Sequence, residues 1–150
     1  MRYYKIRNVK DPIRGTEQSA GLDFFVPEEW NSGKTFTVKA GESVLIPSGV
    51  KLNVPEGYAL IAFNKSGVAV KKKLYAGACV VDEDYQGEVH FNLTNVGNED
   101  TTISPGEKII QFLLIEVNYA EVELAESEED LWKEKVSERG EGGFGSTGTY

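Results

Sequence analysis

Residues 76–95, AGACVVDEDYQGEVHFNLTN, decide how the chain is read. Cys79, Val80 and Val81 form a short apolar run. Asp82-Glu83-Asp84-Tyr85-Gln86-Gly87 follows, and its acids and glycine are turn chemistry. Val89, Phe91 and Leu93 then alternate with Glu88, His90 and Asn92. That period of two marks a strand with one face buried. The stretch predicts two strands folded back on each other. Asp82 falls at the end of the apolar run, where a carboxylate is held rigidly and partly desolvated. Tyr85, three residues on, walls the same place. A hairpin also offers backbone N–H and C=O groups to the edge of a planar ligand. The residues read either as a solvated acidic turn between two strands or as a pocket for a nucleobase with a catalytic carboxylate at its lip, and the rest of the chain tips the balance to the pocket.

Outward from this stretch, short apolar runs recur between turn residues. Met1–Val9 reads as an edge strand, and Phe24-Phe25-Val26, Phe36–Val38, Val44–Pro47, Val50–Val54 and Tyr58–Phe63 as further strands. Thr101–Ile103 and the long run Ile109–Val117, with Gln111 inside it, complete the set. Many short strands broken by Gly and Pro predict an all-β sandwich or barrel. One helix is predicted near the C terminus, over residues 127–137. Ser127 with Asp130 resembles a capping box, and Glu128, Glu129 and Asp130 suit the positive end of a helix dipole. The expected organisation is one β domain over residues 1–138, with residues 127–137 as a helical insert, and an arm over residues 139–150.

A chain of 150 residues is long enough to bury a sizeable core. Its net charge of −8 argues against a general nucleic-acid binder, because phosphate backbones need a basic face. The single cysteine, Cys79, allows no internal disulfide and no paired-cysteine metal site, and the single His90 allows no histidine cluster. No apolar run reaches membrane-spanning length, and no secretory leader pattern is present. A soluble, cytoplasmic protein is expected, with no membrane partner.

Residues 139–148, RGEGGFGSTG, hold five glycines. Such a segment is costly to order, so a mobile arm that orders on binding is expected. Successive glycine N–H groups can form an anion-binding nest, and Arg139, Ser146 and Thr147 add phosphate donors.

Five stretches in order resemble the motifs of the homotrimeric dUTPase family. They are Ala20-Gly21-Leu22-Asp23, Lys65-Ser66-Gly67, Ala78 to Gly87, Gly106 to Gln111, and Arg139 to Gly148. Two positions depart from the family pattern: Lys65 and Lys108 stand where arginines are usual. The resemblance implies a distorted jelly-roll β-barrel, a homotrimer with sites between subunits, and hydrolysis of dUTP to dUMP and pyrophosphate with Mg²⁺.

The same resemblance implies roles. Asp82 would be the general base that activates water for attack on the α-phosphorus. Tyr85 would pack on the deoxyribose, and backbone around Cys79 and His90 would read uracil. Lys65, Ser66, Gly67 and Gln111 would hold the phosphate chain. Arg139 would bind the γ-phosphate, Phe144 would cover the base, Ser146, Thr147 and Gly148 would wrap the phosphates, and Gly145 would belong to the same substrate site. Asp23 would reach the metal through water. The related dCTP deaminases share the fold, but the arm argues against them. The loop at residues 28–34 and the acidic insert at residues 121–138 are candidate surfaces for a protein partner.

Overall fold

The computed structural model of the chain describes residues 1–143. These fall into two compact units, one of Met1–Asn118 and one beginning at Tyr119. The first unit is built from strands, in a jelly-roll arrangement.

Its largest sheet has five strands. They are β2 (Ile13–Arg14), β3 (Leu22–Phe25), β7 (Tyr58–Phe63), β9 (Val80–Val81) and β12 (Lys108–Glu116), in the spatial order β2-β3-β12-β7-β9. A second sheet has the order β5 (Ser43–Pro47), β10 (His90–Asn95), β8 (Leu74–Ala76). Two pairs complete the unit: β1 (Arg2–Lys5) with β6 (Val50–Asn53), and β4 (Phe36–Val38) with β11 (Thr101–Ile103). Every ladder is antiparallel.

The alternating residues that predict strands are the ones that enter the core. Val89, Phe91 and Leu93 are buried, while His90 between them is exposed. Phe24 of β3, Phe112 of β12 and Phe91 of β10 form an aromatic trio that joins the two larger sheets. Ring centroids are 4.8 Å apart for Phe24–Phe112, 6.0 Å for Phe24–Phe91 and 6.2 Å for Phe91–Phe112. All three rings are essentially inaccessible to solvent. Replacing any one by alanine should cost roughly 3–5 kcal/mol.

The structure corrects the predicted hairpin. Val80–Val81 and His90–Asn95 do not pair with each other. Val80 and Val81 lie against Ile61 and Leu60 of β7, whereas β10 pairs with β5 and β8. The two arms run together only at their base, where Leu93 opposes Ala76 and Gly77 N–H bonds to Asn92 O at 2.9 Å. Above that point they part into different sheets. Gly77 suits the divergence point, because a Cβ there would fall 2.2 Å from Asn92 Oδ1.

A helix absent from the sequence reading, α1 (Ser66–Lys72), follows β7 directly. Its sequence, SGVAVKK, carries glycine and two valines, which are weak helix formers. Val68 packs against the core, and that contact overrides propensity. Lys73 ends the helix in the left-handed region, at φ 55°.

In the second unit the predicted helix is present but shorter, as α2 (Glu128–Trp132). Ser127 caps it as expected, accepting Asp130 N–H at 3.1 Å. The loop at residues 28–34 is a short 3₁₀ turn, Trp30–Gly33, whose Trp30 ring packs on Phe36 at 5.4 Å.

Candidate active site

The large sheet sets four of the five motif stretches side by side. In its spatial order they are Asp23 on β3, Gln111 on β12, Lys65-Ser66-Gly67 just past β7, and Cys79 to Gly87 at β9. Register aligns Asp23 with Gln111 and Gln111 with Phe63.

Asp23 is buried, with 5% of its side chain exposed. An isolated buried carboxylate is costly, so it must be paired. Lys65 Nζ bonds to its Oδ1, and Lys108 Nζ lies 3.1 Å from its Oδ2. The two lysines that replace family arginines therefore converge on one carboxylate. Lys65, expected to hold phosphate, pairs with Asp23 and stands at the N-cap of α1.

Gln111 bridges two motif stretches. Its Nε2 donates to Asn64 O at 2.8 Å, and its Oε1 occupies the space that a Cβ on Gly21 would need, at 2.1 Å. Gly21 is thus required by this side chain. Gly67 is different: a Cβ there would meet nothing within 4 Å. Packing within the chain does not call for glycine at that position, though a glycine inside a helix costs about 1 kcal/mol relative to alanine.

Where β9 and β10 part, they leave a cavity of about 190 Å³. Cys79, Val80, Val81, Asp82, Tyr85, Glu88, Val89 and His90 line it, with core residue Phe112 among them. β9 is the last strand of its sheet, and β8 covers β10 only from Leu93 onward. Unpaired strand edges therefore border the cavity, and such edges offer backbone donors and acceptors to a ligand.

The turn above the cavity is held from three sides. Tyr85 N–H bonds to Asp82 O at 3.2 Å, and Glu83 Oε2 accepts Gly57 N–H at 2.5 Å. The Tyr85 ring lies across Gly87, where a Cβ would sit 2.2 Å from its hydroxyl, and that hydroxyl donates to Glu88 O at 3.0 Å. His90 Nδ1 also approaches Glu88 O, at 2.8 Å. A carbonyl only accepts, so Nδ1 carries the proton in this contact.

Asp82 itself is exposed in the single chain, and its carboxylate makes no hydrogen bond or ion pair among the described residues. The partial desolvation expected from its place after an apolar run is absent here. Cys79 is half-buried and packs on the core, with Sγ 3.6 Å from Gly77 O.

Sequence reasoning missed Arg7, Gly49 and Asn64. Arg7 grips the Glu88 carboxylate through Nε at 2.8 Å and Nη2 at 3.2 Å, and Gly49 N–H adds a third bond at 2.7 Å. Burial pushes the Glu88 carboxyl up, but the Arg7 and Gly49 bonds outweigh it and hold the group below its ordinary range. The partners lie 81 positions apart for Arg7 and 39 for Gly49, so no local pattern announces them.

The two groups of residues are not brought together within one chain. Val81 opposes Leu60, whereas Gln111 opposes Phe63. That separates them by roughly 10 Å along β7 and by two strand spacings, about 10 Å, across the sheet. Arg139 belongs to the second unit, where its Nε donates to Gly142 O at 2.5 Å. Phe144, Gly145, Ser146 and Thr147 lie outside the described residues.

The sequence model of the dUTPase family matches residues 7–148. A deoxyuridine 5'-triphosphate nucleotidohydrolase of Yarrowia lipolytica is 39% identical over 142 residues, covering 94% of this chain and 83% of that protein. The protein of the same name from Mus musculus is 36% identical over 138 residues, covering 91% and 77%. The solved structure of a Staphylococcus bacteriophage 80alpha dUTPase with dUpNHpp is similar in fold, with a TM-score of 0.82 and 25% identity, covering 98% of this chain and 97% of that one. The chain belongs to the dUTPase family.

Proposed function

We propose that the chain hydrolyses dUTP to dUMP and pyrophosphate, with Asp82 as the general base. The observation that carries this reading is the cavity between β9 and β10, with unpaired strand edges beside it, Tyr85 pinned across Gly87, and among its lining residues the exposed Asp82, whose carboxylate has no partner among the described residues. Uracil presents an acceptor at O4 and a donor at N3, and backbone edges can meet both. Cytosine reverses the pair and would leave buried groups unmatched, which discriminates strongly. Tyr85 against the sugar leaves no room for a 2′-hydroxyl.

Asp82 accepts a proton from water as the water oxygen bonds to the α-phosphorus. The bond from that phosphorus to the bridging oxygen breaks, and pyrophosphate departs with the electron pair. An exposed carboxylate suits this role once substrate and a covering arm exclude bulk water, because the base is then desolvated only when it acts.

Magnesium fits the residues present in one way. Among the described residues no group of three His, Cys, Asp or Glu side chains converges on a metal position. Lys65 bonds to one Asp23 oxygen and Lys108 forms an ion pair with the other, yet each oxygen keeps a lone pair for a water molecule. Mg²⁺ would thus ride on the triphosphate, with Asp23 reached through water, and would neutralise charge on the departing pyrophosphate.

The active unit in this reading is a homotrimer. The Asp82 cavity and the Asp23, Ser66, Gln111 group lie too far apart in one chain to hold one phosphate chain, so a neighbouring copy supplies the missing half. The outward face of the large sheet supports this: Val80, Phe63 and Ile115 are apolar and exposed there, Val80 by 63%. Residues 139–150 would close the site as an arm, with Arg139 on the γ-phosphate and Phe144 over the base. A cytoplasmic location fits a nucleotide substrate; no helix among the described residues is long and apolar enough to cross a membrane. The loop at residues 28–34 and the insert at residues 121–138 remain candidate surfaces for a protein partner.

The deciding experiment measures pyrophosphate and ammonia release from dUTP, UTP, dCTP and dTTP, with and without Mg²⁺. Pyrophosphate from dUTP alone, dependent on Mg²⁺, is expected. Ammonia from dCTP would overturn the reading.

A further inference from the structure

Glu88 is bound at both ends. Its carboxylate is held by the Arg7 fork and by Gly49 N–H, and its carbonyl accepts from Tyr85 and His90. Tyr85, Glu88 and His90 line the cavity, whereas Arg7 does not. The outer end of this chain of bonds is itself anchored. Ile6 N–H bonds to Gly49 O at 2.8 Å, and Gly49 adopts φ +75° with Arg7 Cβ only 2.9 Å from where its own Cβ would stand. The Glu88 side chain is 11% exposed and that of Arg7 is 39% exposed, so the fork is shielded mainly on its carboxylate side.

A two-point fork fixes the carboxylate in orientation as well as position, which a single ammonium contact would not. The Glu88 carbonyl shares a peptide plane with Val89 N–H, which bonds to Val50 O at 3.0 Å, and the fork on the side chain adds a second anchor to residue 88. That carbonyl sets the tilt of the Tyr85 ring and selects the His90 tautomer with the proton on Nδ1. We propose that Arg7, acting with Gly49 through Glu88, is a positioning residue for the base pocket: it fixes the Tyr85 ring and the His90 tautomer without touching the ligand. The inference rests on the reading of the cavity as the site for uracil and deoxyribose. It extends that reading to a selectivity element outside the five motif stretches.

His90 is the one histidine in the chain, so its imidazole nitrogen signals are unambiguous. The first measurement is therefore a ¹⁵N imidazole spectrum of the ligand-free full chain, recorded roughly two units above the ordinary histidine pKa of about 6.5. Wild type should show the Nδ1–H form. Arg7→Ala should shift it toward the Nε2–H form that free imidazole side chains favour, and Arg7→Lys, which keeps charge but loses the fork, should fall between.

The second measurement is the ratio of kcat/KM for dUTP over UTP. It should fall on the order of tenfold in Arg7→Ala, chiefly through KM for dUTP, since displaced positioning groups cost at this scale. Arg7→Lys should recover part of the ratio. An unchanged tautomer in both variants overturns the proposal, and so does a changed tautomer with an unchanged dUTP/UTP ratio. If wild type releases no pyrophosphate from dUTP, the functional reading fails instead, and the spectrum still decides whether Arg7 sets the His90 tautomer.

Discussion

Lys65 and Asp23 form an ion pair that joins the second motif stretch to the first, with the carboxylate almost fully buried. Lys108 brings the fourth stretch to the same carboxylate at 3.1 Å. Two arginine-to-lysine departures thus answer to one acid, and a compact ammonium needs no fork to reach one oxygen.

Removing one arm of this cluster should be felt in stability. Lys65→Met leaves a buried carboxylate with half its compensation, and losing a partner of a buried charge costs about 3 kcal/mol or more. Urea denaturation should show the midpoint fall, with Lys65→Arg close to wild type. If Lys65→Met unfolds at the wild-type midpoint, the pair contributes nothing and Lys65 is free for phosphate.

Asp82→Asn should separate chemistry from folding. The side chain is exposed and has no partner among the described residues, so thermal stability should stay within about 0.5 kcal/mol of wild type. Turnover of dUTP should drop by roughly two orders of magnitude or more. Wild-type turnover in this variant would show that another group activates the water.

Gly87→Ala should displace the Tyr85 ring. The added Cβ would fall 2.2 Å from the phenol oxygen and 2.4 Å from Cζ, closer than atoms can approach. Discrimination of dUTP from UTP should weaken while the β core survives, read from kcat/KM ratios beside a circular dichroism melt. Undiminished discrimination would remove Tyr85 from the sugar contact.

Acid should loosen the Arg7–Glu88 link. The folded-state pKa of Glu88 lies below its ordinary value, so the link stabilises the fold fully above the unfolded value of about 4.3 and is lost as pH falls through the folded one. Glu88→Gln should lower the thermal midpoint at neutral pH and flatten its decline below pH of about 4. Parallel curves for the two proteins would show that Glu88 titrates alike folded and unfolded.

Deleting residues 139–150 should leave the β core folded and remove efficient dUTP hydrolysis. The β core of the first unit, Met1–Asn118, lies wholly outside the deleted segment. Activity equal to the full chain would show that the arm does not close the site.

Local chemistry made much of this protein legible in one dimension. The alternation of Val89, Phe91 and Leu93 specifies which side chains of that strand enter the core, because a strand turns successive side chains to opposite faces. The Ser127 cap and the order of the five motif stretches are equally local, and the family followed from them. What tertiary structure alone decided is which strands meet. Val80–Val81 left the expected hairpin for β7, and that departure opened the cavity. Ladder partners are chosen by how whole sheets twist and pack around Phe24, Phe91 and Phe112, and nothing within a run of twenty residues encodes that choice. The same holds for Arg7 with Glu88 and for Lys65 and Lys108 with Asp23. A buried or half-buried charge needs a partner, but the sequence names only the need, and the folded chain supplies the residue that meets it.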